Sequence, residues 1–171
     1  MSIEGREQLT RADVKRIEEE IEHRKNVVRP KALEDLKYAR SLGDLSENFE
    51  YYAAKRANNQ NNSRIRYLEK MLRTADIIDD SSAEDEVGLN NTVTVYFEER
   101  DMEAVYRIVT PIRSDIRQGL ISNESPIGAA LLGKRVGQRI EVRLPGGALM
   151  HLTIRALEKT GESENDKISQ Y

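Results

Sequence analysis

Between about Thr10 and Leu42 apolar residues recur at Val14, Ile17, Ile21 and Val28, and the stripe resumes after a change of phase at Leu33, Leu36 and Ala39. Spacings of three, four and seven put those side chains on one face of a helix, so one long amphipathic helix is expected. A second stripe, Tyr51, Ala54, Ala57, Ile65, Leu68, Leu72 and Ala75, predicts another helix from about Ser46 to Ala75. Between them Ser41-Leu42-Gly43-Asp44 offers a glycine able to end the first helix with a positive φ and an aspartate able to cap the second. The arms are therefore expected to fold back antiparallel. At a rise of about 1.5 Å per residue, roughly 30 residues make an arm about 45 Å long, which predicts a protruding coiled coil. Pro30 removes a backbone donor and clashes with the carbonyl of Asn26, so a kink or break is expected there.

The second half has a different period. Thr92 to Phe97, Ala104 to Val109, Arg139 to Leu144 and His151 to Ile154 are short runs rich in β-branched residues with turn residues between them, the signature of a compact antiparallel sheet. Ser125-Pro126-Ile127-Gly128-Ala129-Ala130-Leu131-Leu132-Gly133 carries proline at a first helical position and glycine past the end, which predicts one short helix across that sheet. Pro145-Gly146-Gly147 reads as a hairpin turn, since no Lys-Ser/Thr follows to make a phosphate-binding loop. The fold class is α+β. The expected organisation is a helical hairpin over 1–78, an acidic linker over 79–86, a sheet domain over 87–160 and a frayed polar tail over 161–171.

Charge and composition narrow the functions. Residues 1–78 hold 16 Lys/Arg against 14 Asp/Glu, and residues 79–171 hold 11 against 16, too weak a cationic balance for a protein that grips duplex DNA through its phosphates. With 0 cysteines, disulfides, thiol catalysis and zinc–thiolate sites are excluded together. His23 and His151 are the available imidazoles and read as surface or packing residues. No apolar run approaches the roughly 18 residues that span a bilayer, and the N-terminus lacks a signal-peptide pattern, so a cytoplasmic address without a membrane partner is expected.

Candidate chemistry gathers at the expected hairpin turn. Asp44 and Glu47 have the Asp-x-x-Glu spacing of a capping box, in which the first side chain caps the backbone and the fourth reaches back. The same spacing puts two carboxylates near one face of a helix start, and Mg²⁺ commonly takes one or two carboxylates plus waters; both readings stand on sequence. Tyr51 and Tyr52 either stack on a partner or pack on Tyr38 and Leu42 of the facing arm. Arg24, Lys25, Arg56, Arg64 and Arg66 form a basic strip suited to an acidic wall or an RNA end, although antiparallel pairing also sets Arg24 and Lys25 beside the polar run Asn58 to Asn62.

Gly43-Asp44-Leu45-Ser46-Glu47-Asn48-Phe49-Glu50-Tyr51-Tyr52-Ala53-Ala54-Lys55-Arg56 closely resembles the hairpin-tip signature of the bacterial Gre transcript cleavage factors. Ser125-Pro126-Ile127 through Leu132-Gly133-Lys134, followed by Leu144-Pro145-Gly146-Gly147, is similar to that family's second signature. Leu45 and Ala53-Ala54-Lys55 look like the A type, which is preferred; Leu42-Gly43, Lys55-Arg56 and Arg66-Tyr67-Leu68 look like the B type.

The resemblance implies a coiled coil that enters the secondary channel of RNA polymerase and an FKBP-like C-terminal domain at the channel rim. It implies stimulation of the polymerase's own cleavage of nascent RNA in backtracked complexes, not self-contained catalysis. Asp44 and Glu47 match the acidic tip residues that would share Mg²⁺ with the polymerase, with no tightly bound cofactor. Ser46 and Asn48 fall in the matched tip as secondary residues, and Ser125, Pro126 and Ile127 are candidates for docking to the polymerase. RNA contact is expected to be weak and the protein monomeric. An alternative within the same architecture is a channel occupant that regulates the polymerase without cleavage; a coiled-coil adaptor for an unrelated protein is a third. A prolyl isomerase is set aside, because the second domain has no tryptophan and few aromatics, Tyr96, Phe97, Tyr106 and Tyr171.

Overall fold

A computed structural model of the chain describes residues 6–44 and 48–170. They divide into two units, one built on Val14–Ala75 and the other on Glu7–Asp13 together with the chain from Asp76 onward. The expected boundary at residue 78 is thus close, but the first strand and the start of the first helix fall in the second unit.

The first unit is a helical hairpin. Its first arm runs through α1 (Arg11–His23), a π-helical turn (Arg24–Val28) and α2 (Arg29–Ser41), and its return arm is α3 (Phe49–Thr74). Partners across the pair run in opposite order: Ala39 meets Asn48, Arg24 meets Asn61 and Glu20 meets Arg64, so the arms are antiparallel. On α3 the inward positions Tyr51, Ala54, Asn58, Asn61, Ile65, Leu68 and Leu72 are buried or half-buried, a three-four alternation that keeps one seam facing a partner helix. Ile17, Ile21, Ala32 and Ala39 answer them from the first arm. Each fully buried Leu or Ile contributes about 1.5–3 kcal/mol.

Pro30 does not break the arm. The Arg29 amide donates to the Arg24 carbonyl, five residues back, and this wider turn immediately precedes the proline that lacks a donor of its own. The extra residue also advances the helix phase. Ala32 is therefore buried, whereas Leu33, expected in the seam, is 49% exposed. On α3, likewise, Asn58 faces inward and Ala57 is exposed.

The second unit holds a five-stranded sheet in the order β5-β4-β3-β7-β6, where β3 is Thr92–Phe97, β4 Met102–Val109, β5 Leu120–Ser122, β6 Arg139–Arg143 and β7 Leu149–Glu158. The β3–β4, β3–β7 and β6–β7 pairs are antiparallel, but β4–β5 is parallel, so the sheet is mixed at one edge. Alternation puts Val93, Val95 and Phe97 on the same face as Ile140, Val142, Leu152 and Ile154, and the core is completed by Ile108, Ile121 and Leu131. Helix α4 (Pro126–Leu131) packs there. The β6–β7 connection turns at Gly146 and Gly147, both with positive φ, as the Pro-Gly-Gly run predicts. A separate parallel pair joins β1 (Gln8–Leu9) to β2 (Asp76–Ile77).

Two expectations about segments need correction. The acidic stretch 79–86 is not merely a linker: Asp85 and Glu86 pair with Arg135, and Lys159 donates to the Ala83 and Glu86 carbonyls. Residues 161–170, expected to fray, are tied down instead, with the Ser169 amide donating to the Ile112 carbonyl at 2.6 Å and Asp166 paired with Arg107. Their polarity misled because their acids answer an arginine buried in the sheet unit.

Candidate functional site at the hairpin turn

Helix α2 is capped by Leu42, whose amide donates to the Ala39 carbonyl at 3.3 Å, and Gly43 follows with φ +117°, a conformation that a side chain would strain. Asp44 comes next and is exposed. The return helix is capped by Asn48: its side-chain oxygen accepts the Tyr51 amide at 3.0 Å, and its amide group donates to the Ala39 carbonyl at 2.6 Å. One asparagine thus caps the second arm and holds the end of the first. The expectation that Asp44 caps this helix is corrected, because the cap position belongs to a residue four places further on. Glu47 and Ser46 lie outside the described residues, as does Leu45.

Aromatic residues cluster beside the turn. Tyr51 is half-buried, meets Tyr52 edge to face at 5.5 Å between ring centroids and carries the Arg40 guanidinium over its ring at 5.7 Å. Tyr51 takes the packing role and Tyr52 stays half exposed. Phe49, which sequence reasoning passed over, is 86% exposed at the first position of α3. The available signal was spacing: two residues before the inward Tyr51, Phe49 falls on the opposite side of the helix.

The five basic residues do not form one strip. Arg24 and Arg64 both donate from Nε to Glu20 Oε1, at 2.6 and 3.0 Å, with side chains only 19% and 10% exposed. Burial works to raise the Glu20 pKa, but the hydrogen bonds and charges of Arg64 and Arg24 outweigh it and hold the carboxyl below 4.5. Arg24 also donates to Asn61, which returns a bond to the Arg24 carbonyl, making a polar layer inside the seam. Lys25 pairs with Glu69, Arg66 donates to Ser63, and Arg56 is exposed. Arg24 and Arg64 are thereby committed to the hairpin, leaving Arg56 and Arg66 as the outward members.

In the second unit, Ser125 caps α4: its hydroxyl accepts the Gly128 amide at 3.1 Å and donates to the Ser122 carbonyl at 2.6 Å. Pro126 is the first helical residue and Ile127 packs partly against the core. This signature shapes a turn, with Pro126 its exposed member. His151 sits at the surface between Glu99 at 2.7 Å and Glu141 at 3.3 Å, and the hydrogen bond to Glu99 raises its pKa. Among the described residues no helix is long and apolar enough to cross a membrane, and no three His, Cys, Asp or Glu gather as metal ligands.

An antiparallel helical hairpin with an exposed aspartate at its turn, followed in the chain by a mixed five-stranded sheet unit with one short helix, defines the class. The N-terminal model of the GreA/GreB transcription elongation factors matches residues 7–77, and their C-terminal model matches residues 82–159. Transcription elongation factor GreA of Chloroflexus aggregans is 46% identical over 147 residues, covering 85% of this chain and 93% of that protein. GreA of Macrococcus caseolyticus is 44% identical over 146 residues, covering 85% and 92%. Among solved structures, GreA factor homolog 1 of Thermus thermophilus is 26% identical, with 90% of this chain and 99% of that one covered, at a TM-score of 0.41. This chain belongs to the GreA/GreB family of transcription elongation factors.

Proposed function

We propose that this protein binds RNA polymerase, places the turn of its helical hairpin in the secondary channel and stimulates the polymerase's cleavage of the nascent RNA 3′ end in backtracked complexes. The observation that carries the reading is the turn itself: Asn48 does the capping, and Asp44 lies exposed beside it. Family membership over both halves of the chain supports the same partner.

Asp44 and Glu47 are the residues that would hold Mg²⁺ jointly with the polymerase centre. The donor set fits, since this ion accepts one or two carboxylates and completes its shell with water and phosphate oxygens. Bound there, the shared ion would help activate the attacking water, while the second ion of a two-metal centre would stabilise the leaving oxygen of an in-line cleavage. The protein's own share is positional: a glycine turn and an asparagine cap set the apex at the end of two packed arms. Asn48, Tyr51 and Tyr52 support that apex, Ser46 is a secondary residue of the matched signature, Arg56 and Arg66 face outward for polymerase or RNA, and Ser125, Pro126 and Ile127 form the docking turn of the second unit. The protein acts as a monomer in the cytoplasm, holds no cofactor tightly and is not an enzyme alone. Adding it to a stalled elongation complex should shorten the RNA from its 3′ end; bound protein with unshortened RNA would point to a non-cleaving regulator instead.

A further inference from the structure

The family match ends at residue 159, yet the chain beyond it reaches a deeply buried cation. Arg113, in the turn after β4, has a side chain only 1% exposed, and a guanidinium at that depth requires anions around it. Within the matched region the acid that faces it is Asp13, 4.0 Å from Nε. Asp13 is itself fully buried and already accepts from the Thr110 hydroxyl at 2.6 Å and the Thr10 amide at 3.1 Å. The remaining acids come from the C-terminal segment. Asp166 Oδ2 lies 2.9 Å from Arg113 Nη2 as an ion pair, without the alignment of a hydrogen bond, and Glu162 Oε1 lies 3.4 Å from Nη1.

Arg107 of β4 closes the other side. Its Nη1 and Nη2 reach Asp166 Oδ1 and Oδ2 at 2.7 and 3.0 Å, the paired geometry by which arginine recognises carboxylates and phosphates. Arg107 also donates to the Gly161 carbonyl, and the Ser163 amide donates to Asp166 at 2.8 Å. Without residues 161–170, Arg113 would keep Asp13 as its anion and Arg107 would lose the carboxylate it pairs with, leaving neutral Asn90 oxygens to both guanidiniums.

The geometry points to an anion site formed by Arg107 and Arg113 and filled by the chain's own C-terminus: residues 161–170 are a strap, Asp166 is its tethered ligand, and a free carboxylate or phosphate takes its place when Asp166 is removed. The site is independent of the cleavage reading. Burial works to raise the Asp166 pKa, but the Arg107 hydrogen bond, the Ser163 amide and the charges of Arg113 and Arg107 outweigh it and hold the carboxyl at about 2. A depressed carboxyl stabilises fully above its unfolded value, 3.8, and loses that contribution as pH falls through the folded one. Asp166 is therefore charged at neutral pH, as its pairing with Arg107 requires.

The test uses the full chain, with Asp166→Ala, the near-isosteric Asp166→Asn and, as a control in the same segment, Glu164→Ala. Calorimetry in sodium chloride should show both Asp166 variants melting lower than wild type by about 5 °C, with loss of hydrogen-exchange protection across 161–170 and no change for Glu164→Ala. Replacing chloride by phosphate or acetate at equal ionic strength should raise the melting temperature of the Asp166 variants more than that of the wild type. Asp166→Asn carries the same expectations should Asp166→Ala not fold. Variants that melt with the wild type and keep the strap protected would overturn the strap, and equal anion effects on variant and wild type would overturn the site.

Discussion

Replacing Glu20 with glutamine removes a carboxylate that two arginines share inside the helical hairpin. Arg24 Nε lies 2.6 Å from it and Arg64 Nε 3.0 Å, and the three side chains are only 10–19% exposed. Glutamine keeps the volume and one acceptor oxygen but leaves two partly desolvated cations without their anion. Breaking a fully buried pair costs about 3–5 kcal/mol; the residual hydration of these groups reduces the expected loss to about 2 kcal/mol. The assay is urea unfolding followed by far-ultraviolet circular dichroism, whose helical signal reports chiefly on α1, α2 and α3. The carboxyl sits below its ordinary value of 4.5. Its contribution is thus complete above pH 4.5 and lost as pH falls through the lower folded value, so the gap between wild type and variant should narrow in acid. A change under about 0.5 kcal/mol at neutral pH would show instead that the cluster behaves as solvated surface pairs do.

Asn48→Ala removes both the α3 cap and the bond to the Ala39 carbonyl. It should cost about 1 kcal/mol and raise amide exchange over 49–52, with Asn48→Asp, which keeps the acceptor, falling between. Gly128→Ala would set a Cβ 2.1 Å from the Ser122 carbonyl oxygen. That backbone cannot give way without moving α4 from β5, so calorimetry should show a loss of about 2–3 kcal/mol.

The hairpin was legible because its determinants are local. Apolar period, Gly43 and the polar residues after it all lie within one turn of where they act. The seam residues were less so: the π-helical turn before Pro30 adds one residue and brings Ala32 inward in place of Leu33, a shift that depends on backbone hydrogen bonding. Asn48, three residues before Tyr51, carries its own cap signature, which the more conspicuous Asp44 and Glu47 obscured. Strand β5 has three residues, too few for a period, and its parallel pairing is set by the return path through Pro111–Arg113 and Ile116–Gln118. The C-terminal segment was misread for a different reason. Its acids act beside Arg107 and Arg113, 49 to 59 positions away, and a buried arginine leaves no mark in a linear pattern. Thr10 and Asp13, which cap α1 reciprocally, show the same limit: the Thr-x-x-Asp spacing was visible, but the contact of Asp13 with Thr110 was not.

In the function proposed above, the hairpin turn lends carboxylates to a catalytic centre in RNA polymerase. The direct measurement is RNA cleavage in a backtracked elongation complex with wild-type protein, Asp44→Ala and Glu47→Ala, each alongside polymerase binding. Wild type should shorten the RNA from its 3′ end, and either variant should do so at least about 100-fold more slowly, roughly 2.7 kcal/mol of lost transition-state stabilisation, at undiminished binding. Cleavage at the wild-type rate by polymerase-bound Asp44→Ala would contradict the proposed function.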